Sequence, residues 1–305
     1  MTSTDNPAAS IAHRLANLAT PRGYRLGVET SEGILDVPET AASLGLSAPT
    51  DVDDLLQNRR GGELVALLSA VKDGGAVLRQ PTEVTFGPVV TRPEKIVCAG
   101  FNYRAHAEET GTPIPELPAL FNKFNNALLG HGGQLKLPTH VAERFDYETE
   151  LVIVIGRHCE NVDARDALQY VAGYATGNDF SARDLQMATS QFMLGKTSTG
   201  FAPVGPWLVP ASAVPDPQNL RLRTFVNGEV RQDWTTADMI FDCRYLIAYT
   251  SKVFPLKPGD LIFTGTPQGV ILGQPIPAEQ RRWLRPGDEV VSSVEGLGDL
   301  KVTLV

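Results

Sequence analysis

Asp146-Tyr147-Glu148-Thr149-Glu150-Leu151-Val152-Ile153-Val154-Ile155-Gly156 divides into an acidic half and an apolar half. Five consecutive apolar residues closed by glycine are too few for a buried helix. They suit a strand covered on both faces. In a strand, residues i and i+2 point to the same side, so Glu148 and Glu150 project together. Asp146 joins them if the strand begins early enough. Adjacent carboxylates beside an apolar strand repel each other and lose hydration, and a hard divalent cation relieves both costs. Spacing alone leaves open the solvent face of an edge strand.

Strand signals continue on both sides. Residues 95–99 read as a strand entering a turn at Gly100, and Asn227-Gly228 sits between alternating residues as a hairpin turn. Lys257-Pro258-Gly259-Asp260 and Arg285-Pro286-Gly287-Asp288 each place Pro and Gly as in a type II turn, and each precedes an apolar strand. Residues 24–37 read as two strands about a turn at Ser31-Glu32-Gly33. Helices are fewer. Leu64, Leu67, Leu68 and Val71 keep helical spacing between two Gly-Gly pairs. Further helices are expected over residues 10–18, over 163–171 with Asp163 as N-cap, and over 239–253. Residues 274–283 are expected to form a surface loop or short helix. The elements do not alternate βαβα, so the fold class is mainly β with peripheral helices (α+β). A boundary near residue 90 separates a small N-terminal domain (1–90) from a larger body (91–305).

The chain has 305 residues, 27 Lys plus Arg and 35 Asp plus Glu, for a net charge of −8. That balance opposes nucleic-acid binding, which needs a basic footprint, but it permits a local basic pocket for a small anion. No apolar run approaches the ~20 residues that span a bilayer, so no membrane role is expected. Three cysteines without a CxxC pair form neither a disulfide framework nor a zinc site, and the N-terminus lacks signal-peptide character. A soluble protein of a reducing, cytoplasmic compartment is expected.

Other segments carry chemistry. Asp179, in Gly177-Asn178-Asp179, is a third carboxylate; with Glu148 and Glu150, and no histidine among them, it would favour Mg²⁺ or Mn²⁺ over Zn²⁺. Taken alone, Gly-Asn-Asp is also an ordinary turn. His106 and Glu109 fall at i and i+3 and, on a helix, form a candidate general-base pair; His106 as a solvated helix residue is the alternative. Lys123, Arg183 and Lys196 are cationic candidates, whereas Arg157, Arg281 and Arg282 read as solvated surface. Gly195-Lys196-Thr197 ends like a P-loop, but position 190 is Ser, which excludes one.

In order, Ile96 to Tyr103, His106, Tyr147 to Leu151, Gly173 to Gln186, Gly195-Lys196-Thr197, Pro203 to Trp207 and Pro258 to Val270 resemble the fumarylacetoacetate hydrolase superfamily over residues 93–305. The resemblance implies a mixed β-sandwich roll, a homodimer, and one divalent cation held by Glu148, Glu150 and Asp179. It implies a catalytic His106–Glu109 dyad on a lid and a catalytic Lys123 from the Phe-x-Lys segment. It also implies a substrate pocket lined by Arg183, Gln186, Lys196 and Thr266. Phe124-Asn125-Asn126 departs from the family pattern after that lysine and is expected to alter the pocket wall there.

The implied substrate is a small anionic 2-oxo acid whose C2 oxygen gains negative charge as an enolate forms, with the cation as Lewis acid. Three outcomes diverge. The first expectation is hydrolysis of a 2,4-dioxo acid of the acylpyruvate or fumarylpyruvate type, with water activated by His106 and Glu109. Decarboxylation of oxaloacetate comes second, and isomerisation or tautomerisation of a 2-oxo-enoic acid third. A degenerate, partner-binding member is the non-enzyme alternative, opposed by the intact set Glu148, Glu150, Asp179 and His106.

Overall fold

The computed structural model describes residue 6, residues 11–71 and residues 74–305. Two sheets form its body. The larger runs in the order Leu78–Arg79, Gly33–Asp36, Gly23–Thr30, Leu15–Thr20, Ala202–Pro210, Val171–Asn178, Thr149–Ile155, Leu261–Phe263, Ile96–Gly100, Ala119–Lys123. A five-stranded sheet, Glu229–Thr235, Arg221–Val226, Glu289–Val294, Gly298–Leu304 and Gly133–Leu135, packs across it.

The apolar run at 151–155 explains why a strand forms there. Val152 and Val154 enter one core with Leu15, Val52, Leu64 and Phe263, while Leu151, Ile153 and Ile155 enter another with Leu222, Leu246 and Val294. Alternate side chains thus serve two cores, which requires a strand apolar on both faces. The same parity sorts the polar residues ahead of the run. Thr149 faces the second sheet, where its Oγ1 meets Thr224 Oγ1 at 2.5 Å and Ser292 Oγ at 2.8 Å. Glu150 faces the opposite way.

The first residues are not independent of the rest. The Leu15–Thr20 strand pairs with Ala202–Pro210, and Leu15, Leu26, Val52 and Leu64 share their core with Val152 and Val204. The helix expected over 10–18 is absent: residues 15–18 lie in that strand, and Ser10 lies outside the described residues. Leu15 and Leu18 are indeed buried, but so is Ala16 between them, because this strand also has both faces covered. A helical reading of the 11, 15, 18 spacing had no way to register that.

Elsewhere the boundaries shift. The expected 239–253 helix spans only Cys243–Ser251, because Asp242 caps it by accepting from Tyr245 N at 2.7 Å. Residues Ala164–Tyr170 form a 3-10 helix rather than an α-helix, and the Asp163 side chain makes no capping bond. Helices Val37–Leu44 and Val52–Gln57 were not expected; each is capped by an aspartate, Asp36 or Asp51. Gly259 and Gly287 take φ of +91° and +95°, as the type II reading of their turns requires. Among the described residues no helix is long and apolar enough to cross a membrane.

Candidate active site

A cavity of about 480 Å³ opens where the Thr149–Ile155 strand of the large sheet begins and the Ile96–Gly100 strand ends, beside the Arg104–Thr110 helix. Its floor is acidic. Glu148, Glu150 and Asp179 each bring one carboxylate oxygen to within 4.8 Å of the others. All three are buried, at 6%, 2% and 1% exposure, which separates them from solvated surface acids. Backbone pairing brings Asp179 to the glutamates: Thr149 lies opposite Asn178, and Asp179 N donates to Glu148 O at 2.8 Å. Asp146 does not join them. It accepts from the Ile271 and Leu272 amides, each at 2.9 Å, and from Arg183.

Each acid has a different electrostatic environment. Glu148 pairs with Arg183 at 2.7 Å and with Lys196; these cations outweigh its burial and hold its carboxyl well below the usual range. Asp179 Oδ2 accepts from Lys196 Nζ at 2.9 Å. Its Oδ1 lies 2.5 Å from Lys123 Nζ, but that ammonium donates to the carbonyls of Phe180, Lys196 and Phe201. Asp179 Oδ1 is therefore buried without a hydrogen bond among the described residues. Glu150 forms no ion pair among the described residues; it accepts only from Gly265 N, at 2.7 Å. Burial, then the charges of Asp179 and Glu148, push its carboxyl well up.

A buried glutamate with no ion pair among the described residues, beside two more buried carboxylates, is a donor set that a cation would stabilise. The donors are all oxygen and the geometry is compact, so the residues fit a hard divalent ion such as Mg²⁺ or Mn²⁺. Charge agrees. Four buried carboxylates (Asp146 included) face three buried cations, Lys123, Arg183 and Lys196. With all four ionised, a divalent ion would turn that net negative site net positive, as an anionic ligand requires.

The helix Arg104–Thr110 carries the basic pair. His106 Nδ1 lies 3.2 Å from Glu109 Oε2 at the expected i, i+3 separation, and His106 is buried. Glu109 Oε1 accepts from Gly269 N at 2.9 Å. An ionised carboxylate only accepts, so this bond places the imidazole proton on Nδ1 and leaves Nε2 as the base. The helix itself is anchored through Ala105 N, which donates to Asp238 at 3.0 Å.

Of the remaining sequence candidates, Arg183, Gln186, Lys196 and Thr266 line the cavity. Arg183 bonds Asp146 at 2.9 Å, Glu148 at 2.7 Å and Gln186 at 2.9 Å, and so supports the acidic floor. Thr266 Oγ1 donates to Thr149 O at 2.8 Å and accepts from Gln232, which sequence reading did not single out. Lys123 stands behind Asp179 and does not line the cavity. The departure at Phe124-Asn125-Asn126 leaves the pocket wall untouched: Phe124 is exposed, and the two asparagines bond the carbonyls of Pro93 and Thr197.

Of the wall built by residues 265–275, sequence reading singled out Thr266 alone. Gly265 takes φ of +98°, and a Cβ there would stand 2.9 Å from Asn102 Cβ, so only glycine presents its amide to Glu150. At Gly273 a Cβ would lie 2.3 Å from Glu109 Cδ; the missing side chain is the space the dyad carboxylate occupies. Phe101, Phe121 and Phe192 form an apolar wall, and Arg281, expected at the solvated surface, lines the cavity instead.

Known proteins share this fold and sequence pattern. The profile of the family described as fumarylacetoacetate (FAA) hydrolase C-terminal matches residues 95–305. A Bos taurus protein named oxaloacetate tautomerase FAHD2A, mitochondrial, is 38% identical over 294 residues, 93% of this chain and 89% of that one. The crystal structure of a putative HpcE protein from Mycobacterium smegmatis aligns with a TM-score of 0.82 at 36% identity, covering 96% of this chain and 99% of that one. A maleylpyruvate hydrolase from Sphingobium sp. SYK-6, solved with manganese(II) and pyruvate, aligns at a TM-score of 0.76 and 30% identity over 96% and 98% of the two chains.

Proposed function

Since the chain belongs to the fumarylacetoacetate hydrolase family, we propose that it moves a proton at C3 of a small 2-oxo acid of the oxaloacetate type, interconverting enol and keto forms. The observation that carries this reading is one cavity lined both by the Glu148–Glu150–Asp179 floor and by the His106–Glu109 pair. A Mg²⁺ or Mn²⁺ ion on that floor would supply Lewis-acid polarisation of the substrate's 2-oxo group. The protein's own residues do the rest. The free Nε2 of His106 takes the proton of the enol hydroxyl, leaving an enolate, and returns that proton to C3; the reverse direction takes a C3 proton and gives it back to the oxygen. Glu109 holds the imidazole in the required tautomer, and Gly269 N holds Glu109. Lys196 and Arg183 keep Glu148 ionised, and Lys123 offsets the charge of Asp179 from behind. Phe101, Phe121 and Phe192 limit water around the reacting carbons.

The tautomerase named among the relatives supports this branch over the C–C hydrolysis ranked first from sequence. Hydrolysis is the second reading, supported by the maleylpyruvate hydrolase among the similar structures; the same dyad would then deprotonate a water. Three buried free thiols support a reducing compartment such as the cytoplasm, and the homodimer follows the family resemblance.

The test gives purified protein, with Mg²⁺ or Mn²⁺, the enol of oxaloacetate, fumarylpyruvate and acetylpyruvate. Faster loss of enol without CO₂ supports the proposal. Pyruvate plus a carboxylic acid promotes hydrolysis, and CO₂ plus pyruvate promotes decarboxylation. No conversion of any of the three removes the proposal.

A further inference from the structure

The acidic floor uses up nearly every cation near it. Lys196 is bound to Glu148 and Asp179, and Arg183 to Asp146, Glu148 and Gln186. Lys123 is shut away behind Asp179. Of the cations lining the cavity, Arg281 is different. Its Nε donates to Ile276 O at 3.0 Å, which fixes the guanidinium plane. Its guanidinium carbon lies 6.0 Å from the centre of the Trp283 ring, and that ring is itself held by Nε1 donating to Ala278 O at 3.1 Å. Among the described residues no carboxylate lies within 4.0 Å of Arg281, and its two terminal NH₂ groups make no hydrogen bond. Arg282, next in the chain, is exposed and turned toward Asp288 at 3.9 Å. The pair thus splits, with one arginine on the surface and one in the cavity wall.

A half-buried guanidinium, anchored at one nitrogen and free at two, is a preformed fork for a planar anion. The 2-oxo carboxylate end of a substrate belongs to the acidic floor, and a fork in the wall of the same cavity is free to take what the substrate carries at its other end. We infer that Arg281 binds a second carboxylate, remote from the 2-oxo group, and so selects dicarboxylic over monocarboxylic 2-oxo acids. The inference rests on the proposed function for the position of the 2-oxo end. It adds the residue that reads the other end, on a segment (residues 274–283) whose composition and charge had suggested only surface.

The experiment compares wild type, Arg281→Gln and Arg281→Lys with Mg²⁺ present. The substrate pair is the dicarboxylic oxaloacetate and the monocarboxylic acetylpyruvate. A non-reacting binding pair, 2-oxoglutarate and 2-oxopentanoate, is measured by calorimetry. Wild type is expected to bind 2-oxoglutarate at least tenfold more tightly than 2-oxopentanoate. Arg281→Gln should erase most of that ratio, and Arg281→Lys, which keeps the charge but not the fork, should keep part of it. With oxaloacetate the loss should appear in KM more than in kcat. A variant that weakens both acids equally marks a structural role and overturns the inference. So does a ratio that survives Arg281→Gln, or a wild type that favours neither acid. If wild type converts no substrate, the proposed reaction fails and the binding ratio still decides the role of Arg281.

Discussion

Removing the charge of Glu150 should stabilise the metal-free protein while abolishing its response to metal. Glu150 is 2% exposed, has one amide donor and no cation partner, and shares its surroundings with two other carboxylates within 4.8 Å. At that separation each like-charged neighbour opposes ionisation by about 3.5 kcal/mol at an effective dielectric constant of about 20. Taking up a proton relieves most of this, so Glu150→Gln should gain about 1–3 kcal/mol in the metal-free state, near the range seen when buried charges give way to neutral groups. For a chain of this length that is roughly 2–6 °C in Tm. Metal acts on wild type in the opposite sense. At a concentration about 100 times its Kd, an ion stabilises by about 2.7 kcal/mol, or roughly 5 °C. The assay is thermal unfolding of chelator-treated protein titrated with Mn²⁺. Wild type should start lower and climb; Glu150→Gln should start higher and stay within about 1 °C. A Glu150→Gln protein that begins less stable than wild type, or climbs as far with metal, refutes the reasoning.

Three further outcomes are expected. Gly273→Ala pushes the Glu109 carboxylate away from His106, because the new Cβ meets the flexible end of that side chain; kcat should fall roughly 10- to 100-fold while the Mn²⁺-induced Tm shift persists. Glu109→Gln should show the same separation of activity from metal response, and a lost metal response in either variant would place the dyad within the ion site. Lys123→Met leaves three carbonyls without their donor and Asp179 with Lys196 as its remaining cation; a loss of about 3–5 kcal/mol, read by denaturant unfolding, is expected.

The acidic floor was legible because its information is local. Glu148 and Glu150 are two residues apart ahead of a strand whose boundaries are written in its apolar run, and His106 and Glu109 are one helical turn apart. Asp179 was legible as a carboxylate at a turn, yet its placement depends on the pairing of Thr149 with Asn178, which no single segment encodes. Arg281 was misread for a related reason. Its neighbours Pro275, Glu279, Gln280 and Arg282 have the composition of a surface loop, and only the packing of Trp283 and the bond to Ile276 turn it inward. The helix expected over residues 10–18 failed because a fully covered strand buries consecutive residues, and sparse apolar spacing then imitates a helix. Gly273 carried no signal, because its role is the volume it leaves empty for Glu109; Gly265 lay within the Pro258 to Val270 segment, yet nothing there told that its amide serves Glu150.

Exchange of the C3 hydrogens of oxaloacetate with D₂O, followed by proton NMR in the presence of Mg²⁺, tests the proposed proton transfer most directly. Wild type should exchange one of the two C3 positions faster than the free ion does, and His106→Asn should lose at least 100-fold of that acceleration while keeping its Mn²⁺-induced Tm shift. Equal exchange in wild type and His106→Asn would contradict the account.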